Sequence, residues 1–279
     1  GIQAVVDLRD LELAYISEDT HGMHLGAMTT LQGIADAPIL QAFANGILSR
    51  AAVVSSFSRL IRNSATLGGT LGAGVASQAD LLTALAVMDA EVVLRSGSKT
   101  QVNLSGGTPE RPGFALAGVT YKGKQERRLP FSSLSDERRS SELIIEMLIP
   151  HPGSGCGAAF TRVGRTPTDV ALLNAACLVQ VKDGVYSRVR IALGGVNMEP
   201  TRLLSVERLL EGQTVPTPNT WAQSISLVLQ TGMADFRPPS DFRASNGYRR
   251  MSGMNLAYHV LEEATSASRG QQSHAKGER

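Results

Sequence analysis

The residue types best suited to chemistry fall in one stretch, Arg62-Asn63-Ser64-Ala65-Thr66-Leu67-Gly68-Gly69-Thr70-Leu71-Gly72, followed by Asp80 at the start of an apolar helical run. Adjacent glycines let backbone N–H groups approach a ligand closely and reach positive φ. Successive N–H groups in such a turn make a concave anion site suited to a pyrophosphate. The hydroxyls of Thr66 and Thr70 sit at its rim. Asp80 is spaced to accept from a sugar hydroxyl, the role an acidic residue plays in other dinucleotide folds. A Gly-Gly pair alone is equally an ordinary turn. The pattern is neither G-x-G-x-x-G nor G-x-x-x-x-G-K-[ST], so the Rossmann and P-loop fingerprints are absent.

Other candidates read more plainly. His21 and His24 fall two ligands short of a metal centre and read as a solvated turn, and no metal ligand set is assigned. His151 and His259 lack carboxylate or Ser/Cys context, so no catalytic residue is assigned. Cys156 and Cys177 have no C-x-x-C spacing; Cys177 lies in an apolar strand and reads as a small core residue. Ser105-Gly106-Gly107-Thr108 reads as a flexible insertion rather than a second phosphate loop. Arg127-Arg128 and Arg249-Arg250 read as surface charge, with Arg249 the structural member, pairing among the C-terminal helices. Gly194-Gly195 ends a strand.

The elements that must position these residues come in zones. Residues 1–95 alternate β-branched runs with helical ones, which suggests α/β: strands at Ala4–Leu8, Met23–Ala27 and Ala90–Leu94, helices at Ile39–Val54 and Ala79–Met88. Residues 96–118 are rich in Gly, Ser, Thr and Pro and read as a long loop. Leu143–Ile149 is a strand stopped by Pro150, and Pro150-His151-Pro152-Gly153 marks a domain boundary. Leu172–Val181 and Val185–Leu193 flank Lys182-Asp183-Gly184, a hairpin signal that with Ala158–Val163 predicts a three-stranded antiparallel sheet. Helices follow at Leu203–Leu210, stopped at Gly212, and at Thr220–Gln230 and Ala244–Ala264.

Composition narrows the function. The chain has 279 residues and a net charge of +2, and its 42% hydrophobic and 19% charged residues are a globular profile rather than a disordered one. Near-neutral charge and 5% aromatic content argue against a nucleic-acid binder. The greasiest stretch, Leu81–Leu94, is interrupted by Thr83, Asp89 and Glu91, which argues against a membrane span. Two unpaired cysteines and the lack of a signal-like start point to the cytoplasm. The opening run Ile2-Gln3-Ala4-Val5-Val6, without an initiator Met, looks like the continuation of a longer chain.

Ala65-Thr66-Leu67-Gly68-Gly69-Thr70, with Asp80-Leu81 and Leu85, resembles the second FAD-binding signature of the flavin subunit of molybdenum hydroxylases, the family of the carbon monoxide dehydrogenase medium subunit and its xanthine dehydrogenase counterpart. Further pieces agree in order. Val6-Asp7-Leu8 and Leu25-Gly26-Ala27-Met28-Thr29-Thr30-Leu31 resemble the family's earlier strand–loop signature, and Glu142-Leu143-Ile144 to Pro150 the segment closing its FAD domain. Phe160-Thr161-Arg162-Val163-Gly164-Arg165 with Asp169, Gly194-Gly195-Val196, Glu207 to Gly212, and Asp241-Phe242-Arg243-Ala244-Ser245 with Tyr248-Arg249 resemble its C-terminal domain. Three features depart: the family's first Gly-Gly lobe lies upstream of a Val-Asp-Leu strand, Thr70 replaces Asn or Asp, and the 96–118 loop is longer.

The resemblance implies an α+β fold: a PCMH-type (vanillyl-alcohol-oxidase-like) FAD-binding domain over 1–152 lacking its N-terminal lobe, a C-terminal domain over 153–265, and a disordered tail over 266–279. It implies an oxidoreductase subunit that binds FAD through Gly26, Ala27, Thr29, Thr30, Thr66, Leu67, Gly68, Gly69, Thr70, Asp80, Ile144 and Arg162. Its partners are then a [2Fe–2S] small subunit and a molybdenum-cofactor large subunit, with FAD passing electrons to NAD or another acceptor. The cofactor carries that chemistry, which accounts for the missing acid–base set. The alternative is a non-catalytic scaffold that cannot hold FAD without the first lobe. A free-standing flavoenzyme fits less well, because such proteins bring their own substrate cap.

Overall fold

Short, largely buried and apolar-rich runs at Gly22–Gly26, Glu91–Ser96 and Glu142–Pro150 pair into the centre of the first sheet. The computed structural model describes residues 6–73, 79–96, 125–197 and 199–277. The strands are β1 (Ile16–Glu18), β2 (Gly22–Gly26), β3 (Glu91–Ser96), β4 (Gln125–Pro130) and β5 (Glu142–Pro150), in the order β1-β2-β5-β3-β4. Every pairing is antiparallel, so the α/β expectation from the element sequence gives way to α+β. The reason is connectivity. Among the described residues six helices fall between β2 and β3 instead of alternating with strands, and all but the fourth bury side chains in the core against the sheet: α1 (Leu31–Asp36), α2 (Pro38–Ala42), α3 (Ile47–Ser55), α4 (Arg59–Ser64), α5 (Leu67–Ala73) and α6 (Ala79–Ala86). Met23, Leu25, Val92, Leu94, Ile144 and Met147 meet Ile34, Ile47, Leu48, Leu67 and Leu85 in that core.

The helix expected over Ile39–Val54 is broken. Ala44 and Asn45 adopt left-handed backbone (φ 47° and 56°), and the Asn45 side-chain oxygen accepts the Ala158 N–H at 2.8 Å. A local side-chain bond to another sheet thus outcompetes helix continuation. Residues 6–8 are not a strand, the Val6-Asp7-Leu8 piece included; residues 4 and 5 of the strand expected at Ala4–Leu8, and most of the 96–118 loop, lie outside the described residues.

After the short helix α7 (Leu134–Glu137) and β5 comes a second antiparallel sheet, β6 (Cys156–Val163), β7 (Leu173–Lys182), β8 (Val185–Gly194) and β9 (Thr201–Arg202). The expected three strands are joined by β9, whose two residues are too short to show a period. Asp183 and Gly184 take φ of 50° and 76°, as a type I′ hairpin requires. This sheet is buried on both faces. Ala176 and Leu178 join the first core, while Ala175, Cys177, Val179 and Val181 pack against α8 (Leu204–Leu210), α9 (Pro218–Gly232) and α10 (Asn246–Gly277).

The tail expected to be disordered is a helix as far as Gly277. Its start docks by hydrogen bonds: Ser268 Oγ donates to the Gly155 carbonyl (2.6 Å) and accepts the Val181 N–H (3.0 Å). Polar composition hides this, because the anchoring groups are small hydroxyls rather than apolar side chains. No helix among the described residues is long and apolar enough to cross a membrane.

Asp89 fastens the two halves. At φ 48° in the turn before β3, its carboxylate receives Arg188 Nη2 (2.6 Å), Arg190 Nε (3.0 Å) and Arg202 Nη1 (2.8 Å) from β8 and β9. Burial pushes this carboxyl up, but the three guanidinium groups outweigh it and hold it below its ordinary range. Asp89→Asn keeps the left-handed backbone tolerable and leaves three cations converging on a neutral group. The pair is partly solvent-exposed, so the expected loss is about 2 kcal/mol, or roughly 5 °C in Tm. Because the folded-state pKa is depressed, the difference between variant and parent is fully present at neutral pH. It shrinks as the pH falls through the carboxylate range; thermal melts at pH 7 and pH 3 check it.

Candidate functional site

The loop after β2 and the start of α5 are joined by an isolated antiparallel bridge between Thr30 and Thr66. Leu31 N–H donates to Ala65 O (2.9 Å) and Leu67 N–H to Thr29 O (2.8 Å). The two bridged threonines begin two helices. Thr30 Oγ1 accepts the Gly33 N–H (3.0 Å) at the head of α1, and Thr66 Oγ1 accepts the Gly69 N–H (3.1 Å) at the head of α5. A threonine hydroxyl that accepts once still has its own proton to donate. Two hydroxyl donors are therefore held side by side at a half-buried surface.

The Gly-Gly pair is not the positive-φ turn expected from the sequence. Gly68 and Gly69 lie in the first turn of α5, and neither has positive φ. Their N–H groups, with those of Leu67 and Thr70, go to Ala27 O, Thr66 Oγ1, Thr29 O and Thr66 O. No nest of free donors remains. The two glycines serve different ends. A Cβ on Gly68 would stand 2.9 Å from Ala27 Cβ and 3.0 Å from Ala27 O, so this glycine lets the helix seat on the loop after β2. Among the described residues, a Cβ on Gly69 would meet only Thr66 Oγ1, at 3.0 Å, and one on Gly72 only Arg138 Nη1, at 3.4 Å. Both are exposed, as is Ala73, so the outer side of α5 presents backbone. A flat or phosphate-bearing cofactor fits such a bare face, and FAD is compatible with the residues present.

The remaining expected residues sort by depth. Gly26 and Ala27 are buried framework: a side chain at Gly26 would run into the Leu13 carbonyl, and Ala27 accepts from Gly68. Thr29 is buried and its hydroxyl donates to Tyr15 O (2.8 Å). Thr70 is not at the rim; it is buried, with Oγ1 donating to Thr66 O (2.9 Å). Leu67 and Ile144 belong to the first core. Helical rotation explains Thr70, which lies three residues past buried Leu67 and beside buried Leu71, on the inner side of α5.

Asp80 sits behind the surface rather than on it. It is 2% exposed, and its Oδ1 accepts from Asn174 Nδ2 (2.8 Å), whose Oδ1 takes the Thr83 hydroxyl (2.7 Å). Arg162 Nε stands 3.7 Å from Asp80 Oδ2 and is buried without a hydrogen-bond partner. Burial pushes the Asp80 carboxyl above its ordinary range, against the pull of Arg162 and Asn174. Arg162 also donates to Val54 O and Asp169 O. Those two residues line a cleft of about 220 Å³ whose other walls include Leu31, Phe57, Ile61, Ala65 and Val170. The structure thus brings Thr30, Thr66, Arg162 and Asp80 to one region, where segments from both halves of the chain meet.

Sequence reasoning missed Asn174 and Thr83, which bind one another and fix the Asp80 carboxylate. It also missed the work of Arg62, which donates to Ser56 O (2.6 Å), Phe57 O (3.1 Å) and Gln32 Oε1 (2.8 Å) and so holds the α3–α4 turn that edges the cleft. A buried Asn opposite a helix start carries no sequence signal. The His24 imidazole, set aside as a solvated turn, is half-buried and paired with Glu146 and Asp19.

Residues 1–105 match the profile of the FAD binding domain in molybdopterin dehydrogenase, and residues 158–264 that of the CO dehydrogenase flavoprotein C-terminal domain. The chain is 24% identical over 247 residues to the glyceraldehyde dehydrogenase medium chain of Sulfolobus acidocaldarius, covering 88% of this chain and 77% of that one. It is 24% identical over 270 residues to the xanthine dehydrogenase FAD-binding subunit of Escherichia coli O157:H7, covering 96% and 82%. Its fold is shared with the carbon monoxide dehydrogenase of Hydrogenophaga pseudoflava (TM-score 0.74, 22% identity, 92% of this chain and 79% of that one). Two family models matched in chain order, over residues 1–105 and 158–264, together with the named relatives, give one assignment: the chain belongs to the FAD-binding flavoprotein subunits of the molybdenum hydroxylases, oxidoreductases of the xanthine and carbon monoxide dehydrogenase kind.

Proposed function

We propose that this chain is the electron-transfer subunit of a cytoplasmic three-component hydroxylase, working with a [2Fe–2S] small subunit and a molybdenum-cofactor large subunit. The observation that carries the reading is the Thr30–Thr66 pair beside the bare face of α5 at Gly69 and Gly72. In this reading Thr66 and Thr30 donate their hydroxyl protons to phosphate or ribityl oxygens, and Gly69 admits the cofactor to van der Waals distance. The apolar side chains of the cleft, Leu31, Phe57, Ile61, Ala65 and Val170, exclude water from the ring system, and Arg162 braces its wall by donating to Val54 O and Asp169 O. Asp80, Asn174 and Thr83 position Arg162 rather than touch the cofactor. Thr29, Thr70, Gly26, Ala27, Leu67 and Ile144 act as the framework beneath. When bound, FAD supplies the capacity to take electrons singly and release them in pairs to NAD or another acceptor.

Purified native-length protein should carry the absorbance of an oxidised flavin. Anaerobic addition of the organic substrate should bleach it only when both partner subunits are present. Bleaching of the isolated subunit by that substrate would mean a self-sufficient flavoenzyme, and a flavin-free native complex would mean a scaffold. Gly69→Val should weaken FAD binding at least tenfold while leaving Tm within a few degrees, because the added side chain occupies the open face and meets only the Thr66 hydroxyl. Full FAD occupancy in that variant would remove Gly69 from the site.

A further inference from the structure

Arg138, a cation that the sequence reading left unassigned, stands over the exposed face of α5 at Gly72. Arg138 follows α7, and its Nη1 lies 3.4 Å from the place a Cβ would take on Gly72. The turn that carries it is locked. Glu142 accepts Arg127 Nε (2.8 Å), Arg127 Nη2 (2.9 Å) and the Arg139 N–H (2.9 Å), and Arg127 also reaches Glu137 O (2.6 Å). These bonds, Arg127 first, hold the Glu142 carboxyl down at about 2, so the clamp stays charged at neutral pH. The buried Glu142 carboxylate, four residues on, is therefore committed to Arg127. Among the described residues no carboxylate lies within ion-pair distance of Arg138, and its backbone is fixed by its N–H bond to Leu134 O (3.1 Å). A guanidinium on a fixed turn across a glycine face, with no counter-charge among the described residues, is arranged for an anion that comes to that face.

We infer that Arg138 is a cofactor-binding residue that pairs with the pyrophosphate of FAD across Gly72. This rests on the proposed placement of FAD along α5 and extends it, since the pyrophosphate charge otherwise has only threonine hydroxyls to meet it there. Arg138 takes the part first assigned to free backbone N–H groups of the Gly-Gly pair. Gly72 is then the residue that lets the guanidinium lie close to the helix.

The test is FAD affinity of the flavin-stripped native-length protein, read from flavin fluorescence at two salt concentrations, with ADP and riboflavin as partial ligands. Arg138→Glu should weaken FAD and ADP at least tenfold, flatten the salt dependence of FAD binding and leave riboflavin affinity unchanged. Arg138→Lys should recover part of the loss, because a point charge keeps the attraction but not the bidentate fork. Arg139→Glu, on the same turn, should change none of these. Unaltered FAD affinity and salt dependence in a folded Arg138→Glu protein would overturn the inference while leaving the FAD reading intact, and so would equal losses for FAD and riboflavin. Parent protein that binds no FAD would overturn both.

Discussion

Gly68→Val should lower Tm by roughly 4–10 °C and reduce flavin content only as far as the fold is lost. The added Cβ would press on Ala27 Cβ at 2.9 Å and Ala27 O at 3.0 Å, and Ala27 cannot retreat because its own N–H is bonded to Ile145 O of β5 (2.9 Å). Overpacking of this kind costs about 1–3 kcal/mol, offset by only a few tenths because valine is a better helix former than glycine. The informative comparison is with Gly69→Val, one residue on. That side chain points away from the core, so it should spare stability and remove flavin. Thermal melts and bound-flavin ratios of the two proteins separate the effects. If both lost flavin without losing Tm, Gly68 would belong to the binding face and the seating of α5 on the loop after β2 would be wrong.

The contrast shows what the sequence could tell. Ala65-Thr66-Leu67-Gly68-Gly69 was legible as a cofactor motif, but its conformation was not. A pair of glycines serves a positive-φ turn and a tightly seated helix equally well, and only the position of Ala27, some forty residues earlier, decides between them. The β7–β8 hairpin was legible because Asp183-Gly184 satisfies a local requirement of backbone geometry. Asp80 was legible as a chemically distinctive residue but not as a buried one, because its partner Asn174 lies 94 residues away and nothing local announces it. The same holds for α10. Its hydroxyl anchors, Thr265 against the Tyr186 hydroxyl and Ser268 on the Gly155 carbonyl, look in sequence like the start of a solvated tail. Local rules carried the elements, and long-range polar contacts placed the site.

Arg249→Met should cost more than any surface substitution in this chain, about 3 kcal/mol or roughly 10 °C in Tm. Read from sequence as a structural residue, Arg249 is 2% exposed and does more than join helices. Its Nη1 donates to Leu172 O (2.6 Å) and Gly195 O (3.1 Å), tying the approach to β7 to the end of β8. Its Nη2 reaches both Asp241 oxygens at 3.1 Å, tying in the turn that starts α10. Methionine fills much of the volume but strands both carbonyls, each an acceptor taken from water and left unmet. The Asp241 contribution has its own pH signature. The Ala244 N–H, then Arg249 and the Arg243 N–H, hold that carboxyl down at about 2. A depressed folded-state pKa gives stability that is present above the ordinary carboxylate range and is lost as the pH falls toward about 2. The gap between Arg249→Met and parent should therefore be widest near neutrality. It should narrow below pH ~4 without closing, because the carbonyl bonds do not titrate. A gap constant from pH 7 to pH 2.5 would assign the whole effect to the carbonyls and leave Asp241 a bystander held by the backbone of its own turn.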